Sequence, residues 1–200
     1  MDEVIPGVWH WTRTHEHIGV PVSSYYVEPI ATVFDPMEPD EGLGFFEGRQ
    51  VDRVVLSNGH HVRHSARFAE HFGVPVLAVE EGLDEIGDES AVESYAFGDS
   101  PAPESTVYPI QPGWPHEGAV HITVGPGILL IADAAMHYGE ELHFVPDQYI
   151  GDDVELEKRR LREGLAKLLD LDFDVLLVGH GTPIASGGKD ALAKFVQAGG

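Results

Sequence analysis

Apolar residues occur along the chain in short uninterrupted runs with the length and the β-branched content of buried strands. The clearest runs cover residues 54–56, 76–79, 128–131 and 175–178. Further runs, bounded by glycine, proline and polar residues, cover residues 4–11, 22–27, 31–34, 107–110 and 119–124. Short apolar runs between turn residues are typical of strands, so the pattern predicts a strand in each segment.

Three other segments place apolar residues at helical spacing. The first begins at His64, carries Phe68 and Phe72, and is stopped by Gly73. The second begins at Val154 and has a stripe of leucines between charged residues, and the third covers residues 189–197. Strands and helices together predict two β-α halves, with the helices outside and a site where several strand ends meet.

Three polar stretches connect these elements. Residues 12–19 form a hairpin loop that could fold over the site, residues 37–50 a connection with a short helix, and residues 80–105 a crossing over the surface between the halves. His15 and His17 in the first loop, like His60 and His137 elsewhere, receive no role from the sequence.

Histidines concentrate directly after the predicted strand 54–56. His60, His61 and His64 lie within five residues, and the turn signal Asn58-Gly59 precedes them. A loop at a strand end is held rigidly yet open to solvent, so imidazoles there can converge on a metal ion. A polar surface turn that happens to be rich in histidine produces the same short pattern.

Three later residues are candidates for the same site. His116 lies in the loop before strand 119–124, and Asp133 follows strand 127–132, where it either binds a metal or caps the next turn. His180 follows strand 175–178 between Gly179 and Gly181, which let the backbone turn sharply and leave the imidazole unobstructed. A buried core histidine is the alternative interpretation of His180.

The order and spacing of these segments resemble those of the metallo-β-lactamase superfamily. Residues 59–64, Gly-His-His-Val-Arg-His, lie in register with its His-x-His-x-Asp-His loop. Residues 115–118 resemble its third histidine segment, residues 131–133 its bridging aspartate, and residues 179–183 its final histidine turn. The likeness covers residues 5–196. It implies a four-layer αββα sandwich formed by a single domain over residues 1–200.

The resemblance also implies a set of metal ligands. They are His61, His64, His116, Asp133 and His180. A first ion would be held by His61, His116 and Asp133, and a second by His64, His180 and Asp133. Gly59 stands where the superfamily has its first histidine, and Arg63 where it has its aspartate.

Arg63 argues against a centre with two metals, because a guanidinium beside a dication is electrostatically unfavourable. We expect at most one tightly held divalent ion, zinc by default for nitrogen and oxygen ligands, with another divalent metal as the alternative. We expect Arg63 to replace the second ion through a charge-assisted hydrogen bond to Asp133. Replacing Arg63 should then lower the stability of the metal-free protein and raise its zinc affinity.

Asp35 follows the predicted strand 31–34 and precedes a proline. In the resembled superfamily an aspartate near the site ends the corresponding strand, which implies that Asp35 supports the metal ligands. An aspartate before a proline is equally typical of a turn. Both interpretations stay open at the level of sequence.

Two functions of different classes follow. In the first, the protein is a hydrolase with one metal that cleaves an ester, lactone, thioester or amide bond. In the second, it is a catalytically degenerate member of the fold that binds a ligand or a partner. Arg63 favours the second function, whereas the four histidines and the aspartate kept in register favour the first.

Composition narrows the class of partner. The 200 residues contain no cysteine, so any metal must be held by imidazole and carboxylate groups. The 34 acidic and 12 basic residues give a formal net charge of -22, which disfavours nucleic acid and anionic membranes. The amino terminus lacks the pattern of a signal peptide. We therefore expect a cytoplasmic protein that acts on a small molecule, with no prediction for its oligomeric state.

Overall fold

The computed structural model describes residues 1–87, 91–111, 114 and 116–198. Its larger sheet has seven strands that lie side by side in chain order. These are β1 (Asp2–Ile5), β2 (Val8–Thr14), β3 (Pro21–Val27), β4 (Thr32–Phe34), β5 (Arg53–Leu56), β6 (Val76–Val79) and β7 (Val92–Tyr95). Strands β1 to β4 form an antiparallel meander, and β4 to β7 pair in parallel.

The second sheet contains four strands in the order β13-β10-β9-β8. The remaining strands are β8 (Ser105–Pro109), β9 (Gly118–Ile122), β10 (Ile128–Ile131), β11 (Met136–Tyr138), β12 (Glu141–His143) and β13 (Val175–Val178). Strand β10 pairs in parallel with β13 and antiparallel with β9, while β11 and β12 form a separate hairpin. The carboxyl ends of β10 and β13 therefore share one edge of the sheet with the amino end of β9.

Four α-helices complete the described structure, together with short 3-10 helices at Glu28–Ile30, Gly42–Phe46, Glu80–Gly82 and Asp147–Tyr149. The α-helices are α1 (Ser65–Phe72), α2 (Leu83–Ile86), α3 (Val154–Leu168) and α4 (Gly188–Gln197). Helix α3 begins where Asp153 accepts a hydrogen bond from the Leu156 N–H, and α1 ends at Gly73, which adopts the left-handed φ of +68° that glycine tolerates. No described helix is long and apolar enough to cross a lipid bilayer.

Successive side chains along the strands point to opposite faces of each sheet, and this divides the core into three apolar layers. Val55 points into the layer between the two sheets, where it joins Leu130 and Leu177. Its neighbours Val54 and Leu56 face the opposite side of the first sheet. Successive side chains of a strand point to opposite faces, so a continuous apolar run can serve two layers at once.

The outer layers belong to the helices. Phe68 of α1 packs on the outer face of the first sheet. Leu161 and Leu165 of α3 pack on the outer face of the second, with Leu129 and Leu176. The order of layers is helix, sheet, sheet, helix, which confirms the predicted αββα sandwich.

The structure adds elements to the segment 80–105, which was predicted only as a surface crossing. Helix α2 lies within it, and β7 pairs with β6 through four residues as the edge strand of the larger sheet. Only Tyr95 of β7 is buried. An edge strand with one buried side chain gives almost no apolar pattern, so the sequence did not reveal it.

Candidate metal centre

The candidate site lies where the two sheets meet at one edge. The loop after β5 carries His60, His61 and His64, while Asp133 follows β10 and His180 follows β13. Backbone contacts join these segments, since the Gly59 N–H donates to the His116 carbonyl oxygen at 2.8 Å and the Gly118 N–H to that of Ser57 at 2.9 Å. Loops from both sheets therefore form one site.

Asp133 stands between two imidazoles. Its Oδ1 atom lies 3.3 Å from Nε2 of His61 and 3.3 Å from Nε2 of His180. The ligand atoms of the three residues all lie within 4.8 Å of one another. Two nitrogens and one carboxylate oxygen at this spacing are a suitable donor set for a divalent metal ion.

Asp35 fixes the orientation of His61 by contacting Nδ1, the ring nitrogen opposite the one that faces Asp133. Its carboxylate accepts hydrogen bonds from the Ser57 N–H at 2.8 Å and the Ser57 hydroxyl at 2.5 Å, and lies 3.0 Å from Nδ1 of His61. A carboxylate at this position accepts a hydrogen bond from Nδ1–H of His61, so that Nε2 is the ring nitrogen that can bind a metal. The interpretation of Asp35 as a supporting residue is the one that the structure favours.

The charges around His61 determine its protonation in the metal-free protein. Burial lowers the pKa of His61, and the nearby Arg63 acts in the same direction. The carboxylates of Asp133 and Asp35 outweigh both effects and raise the pKa to about 9. At neutral pH the imidazole is therefore charged between two carboxylates, and a metal that binds Nε2 must displace a proton.

Glu117 holds the backbone turn that presents Asp133. This buried carboxylate accepts hydrogen bonds from the backbone N–H groups of Ala132, Asp133 and Ala134 at 3.0–3.1 Å. Burial and the charge of Asp133 raise the pKa of Glu117 to about 8, while the N–H donors oppose this rise. Asn58 donates from Nδ2 to both Glu117 and Asp133, at 3.3 Å each.

Arg63 makes other contacts than those expected from the sequence. Its backbone adopts a φ of +45°, and its Nη1 atom donates to the carbonyl oxygens of Ser23 at 2.6 Å and Asp35 at 2.8 Å. The hydrogen bonds found for Asp133 come from other side chains, so the expected direct bond between Arg63 and Asp133 is wrong. The reason is that β3 lies beside the loop and offers a backbone acceptor. The carboxylates of Asp35 and Asp133 still attract the guanidinium, and both oppose the lowering of its pKa by burial.

His64 is bonded to residues outside the group around Asp133. Its Nδ1 atom accepts a hydrogen bond from the Glu38 N–H at 2.9 Å, and its Nε2 atom lies 3.5 Å from Glu16. The residue also precedes the first turn of α1. In this arrangement one ring nitrogen is engaged by the backbone and the other faces a surface carboxylate.

His116 belongs to a second group of possible ligands. Its ring meets that of His60 edge to face, with 4.7 Å between the centroids, and the ring of Trp114 lies nearly parallel to it at a centroid distance of 6.0 Å. The ligand atoms of His60, Glu85 and His116 lie within 4.8 Å of one another. The sequence placed His116 with His61 and Asp133, whereas the structure groups it with Glu85, which the sequence did not single out.

Two of the histidines without a sequence assignment lie near the site. The ring Nδ1 atom of His137 lies 2.6 Å from the carbonyl oxygen of Thr182, and the backbone N–H of His137 donates to the carbonyl oxygen of His180. These two contacts hold the turn that carries His180. His15 lines the cavity of the site, and the neighbouring His17 N–H contacts its Nδ1 atom.

A cavity of about 630 Å³ opens above the site. It is lined by His61, Asp133 and His180, and also by His60 and His116 of the second group. Its walls are largely apolar and include Ile18, Val22, Trp114, Met136, Val145 and Tyr149. Cavities of this size with mostly apolar walls and a few polar groups are typical of sites for small molecules.

Solved structures with the same architecture are metallo-β-lactamase superfamily proteins. The DIM-1 metallo-β-lactamase exposed to ceftazidime has a TM-score of 0.70 at 12% identity, covering 100% of this chain and 96% of its own. The protein TTHA1623, solved in a di-iron-bound form, has a TM-score of 0.68 at 19% identity, covering 90% of this chain and 96% of its own. An archaeal superfamily protein from Sulfolobus tokodaii has a TM-score of 0.66 at 12% identity, covering 96% of this chain and 85% of its own.

These likenesses show that the chain has the metallo-β-lactamase fold. No protein-family profile matches the sequence, and no match was found among curated protein sequences. At identities below 20% the similarity concerns the fold alone.

Proposed function

We propose that the protein is a metal-dependent hydrolase of the metallo-β-lactamase type that holds one tightly bound divalent ion on His61, Asp133 and His180. The observation that carries the proposal is the buried Oδ1 atom of Asp133, which has no hydrogen-bond partner and faces two Nε2 atoms at 3.3 Å. A buried carboxylate oxygen without a partner is costly, and a cation at this point would satisfy it.

The donor set fits zinc best. It contains two imidazoles and one carboxylate, the combination found in many catalytic zinc sites, where three protein ligands leave one position open. Another divalent metal remains the alternative, since nitrogen and oxygen donors also suit iron and cobalt. When bound, such an ion lowers the pKa of a water molecule to about 7 and polarises the oxygen of a carbonyl group.

The residues of the chain supply the rest of the arrangement. Asp35 holds His61 in the tautomer that exposes Nε2, and Glu117 holds the turn that presents Asp133. The apolar walls of the cavity bind the body of the substrate and exclude water from the reacting group. The proposed substrates are small molecules that carry an ester, lactone, thioester or amide bond.

The second candidate function is binding without catalysis. It is favoured by Arg63, which occupies the position of a metal-binding aspartate in the motif and uses its Nη1 atom on backbone carbonyl oxygens. A chain that has lost this ligand could retain the cavity for a ligand or partner alone. A cytoplasmic location is proposed with either function.

The test combines metal analysis with a hydrolysis panel. Protein purified without chelator is measured for bound metal, and parent, Asp133→Asn and a control, Asp170→Asn at an exposed position, are assayed on ester, lactone, thioester and amide substrates. Turnover that follows bound metal and is lost only in Asp133→Asn supports the hydrolase. Full metal occupancy without turnover of any substrate favours the binding function, and absence of metal affinity overturns the proposal.

A further inference from the structure

The group His60, Glu85 and His116 lies beside the site around Asp133 and shares no residue with it. The Nδ1 atom of His60 lies 3.8 Å from Oε2 of Glu85, and one donor atom from each of the three residues lies within 4.8 Å of the others. About half of each of the His60 and Glu85 side chains is exposed, with 52% and 47% of their surfaces accessible. The group is therefore reachable from solvent.

Two glycines bring these residues together. A Cβ atom at Gly59 would lie 2.6 Å from the carbonyl oxygen of Gly82 and 3.1 Å from Cβ of Glu85. A Cβ atom at Gly82 would lie 3.1 Å from the carbonyl oxygen of His116. Because neither position has a side chain, the segment that leads into α2 packs directly on the histidine loop. This close approach is what places Glu85 beside the two imidazoles.

The close packing of Gly82 against Gly59 explains why position 59 carries no histidine. A side chain there would collide with the backbone of Gly82, so the chain cannot carry a ligand at this position in its present packing. The same close packing places the Glu85 carboxylate of α2 beside the histidine loop. Position 59 supplies no metal ligand, but Glu85 is a possible ligand from another element.

The geometry points to a second divalent-cation site formed by His60, Glu85 and His116. Donors about 2.0–2.2 Å from a tetrahedral zinc ion lie roughly 3.4 Å from one another, so the three donor atoms need to close by at most about 1.4 Å. The exposed side chains of His60 and Glu85 can make this movement through rotamer changes. Two imidazoles and one carboxylate favour zinc and similar borderline metals.

This second site binds more weakly than the site around Asp133. Its donors must give up side-chain freedom on binding, and solvent screens their attraction for the cation. The site at Asp133 is more buried and already has its three donor atoms facing one another. One ion therefore survives dialysis, and a second binds as the zinc concentration rises.

The experiment is a calorimetric titration of the chelator-stripped full chain with zinc chloride, repeated with cobalt to follow absorption. The parent should show two events of different affinity. Glu85→Gln and His60→Ala should abolish the weaker event and keep the tighter one, while Asp133→Asn should do the reverse. His143→Ala, at an exposed histidine on β12, is the matched control and should keep both events.

Glu85→Gln is the decisive variant, because the residue is exposed and its replacement leaves the histidine loop intact. Two unchanged events in Glu85→Gln overturn the inference, as does a single event in the parent that Asp133→Asn abolishes. A single event in the parent that Glu85→Gln abolishes and Asp133→Asn does not supports the second site and counts against the proposed function. The two proposals can therefore fail separately.

Discussion

His61 turns its Nδ1 atom towards the carboxylate of Asp35 at 3.0 Å, and this contact decides which ring nitrogen is free for a metal. Asp35→Asn keeps the size of the side chain but removes the charge that holds the Nδ1 proton. Loss of such a supporting carboxylate lowers metal affinity by about 10–100-fold. Zinc titration of Asp35→Asn against the exposed control Asp170→Asn measures the effect. An affinity equal to that of the parent contradicts this role.

Asp133 should be the residue on which stabilisation by zinc depends most. Its Oδ1 atom lies 3.3 Å from Nε2 of both His61 and His180. Asp133→Asn should reduce affinity at the tight site by at least about 100-fold, because an amide oxygen is a much weaker ligand than a carboxylate. In thermal unfolding, zinc should then raise the Tm of the parent and of Asp170→Asn by clearly more than that of Asp133→Asn, which keeps only the weaker second site. Equal zinc-induced shifts would argue for other ligands.

Arg63 should affect stability and zinc affinity in opposite directions. Arg63→Met removes the donor that Nη1 supplies to the carbonyl oxygens of Ser23 and Asp35, of which Asp35 keeps the Ser24 hydroxyl, and it should lower the free energy of unfolding of the metal-free protein by about 1–3 kcal/mol. The same change removes a positive charge near Asp133 and should raise zinc affinity.

Arg63→Lys is the matched variant for this prediction. It keeps the charge but cannot reproduce the planar guanidinium, so stability should fall while zinc affinity stays near that of the parent. Denaturant unfolding in chelator, together with zinc titration, tests both effects. If Arg63→Met changes neither quantity, the guanidinium has no part in the site.

Gly59 should not accept the histidine of the superfamily motif. Gly59→Ala and Gly59→His both place a Cβ atom 2.6 Å from the carbonyl oxygen of Gly82, so both should destabilise the protein by about 2 kcal/mol or more. Gly44→Ala is the control, because a Cβ atom there meets nothing within 4 Å. Thermal unfolding compares the three variants. A Gly59→His variant as stable as Gly44→Ala would mean that the α2 segment can move away.

His10 should make the protein sensitive to acid. Burial lowers its pKa from 6.5 to about 4, and its Nε2 atom lies 3.1 Å from the Ser23 hydroxyl. Between pH 6.5 and 4 the unfolded chain binds a proton that the folded protein does not, so stability falls as the pH falls through this range. Solvent around the partly exposed ring limits the effect to the order of 1 kcal/mol.

His10→Gln tests this pH dependence, because its amide can donate to Ser23 but does not titrate. The free energy of unfolding of the parent should decline more steeply with acid than that of His10→Gln, with chelator present throughout. His143→Gln, at an exposed position, should follow the parent. Parallel curves for the parent and His10→Gln would show that His10 does not contribute.

Much of the fold could be predicted because apolar runs and turn residues are local features of the sequence. The runs 54–56, 128–131 and 175–178 are apolar on both faces, as strands between two layers must be, and Gly73 ends α1 where the sequence placed its end. The histidine turns follow these strands, so the region of the site could also be predicted. Strand β7 could not be predicted from the sequence, because only one of its side chains is buried.

The partners of the site residues could not be predicted in the same way. The grouping of Glu85 with His60 depends on the close packing of Gly59 against Gly82, between segments that are distant in sequence. The direction of Arg63 depends on its positive φ and on the position of β3. Both are properties of packing in three dimensions, which the spacing of residue types does not determine.

The proposed metal ligands come from both sheets, so a bound ion would link the two halves of the molecule. His61 follows the last residues of β5 in one sheet, whereas Asp133 and His180 follow β10 and β13 in the other. An ion held by all three acts as a removable cross-link between the sheets. Zinc should therefore slow hydrogen exchange in β5 and β13 together, and its release would let the two sheets separate along this edge before either one unfolds.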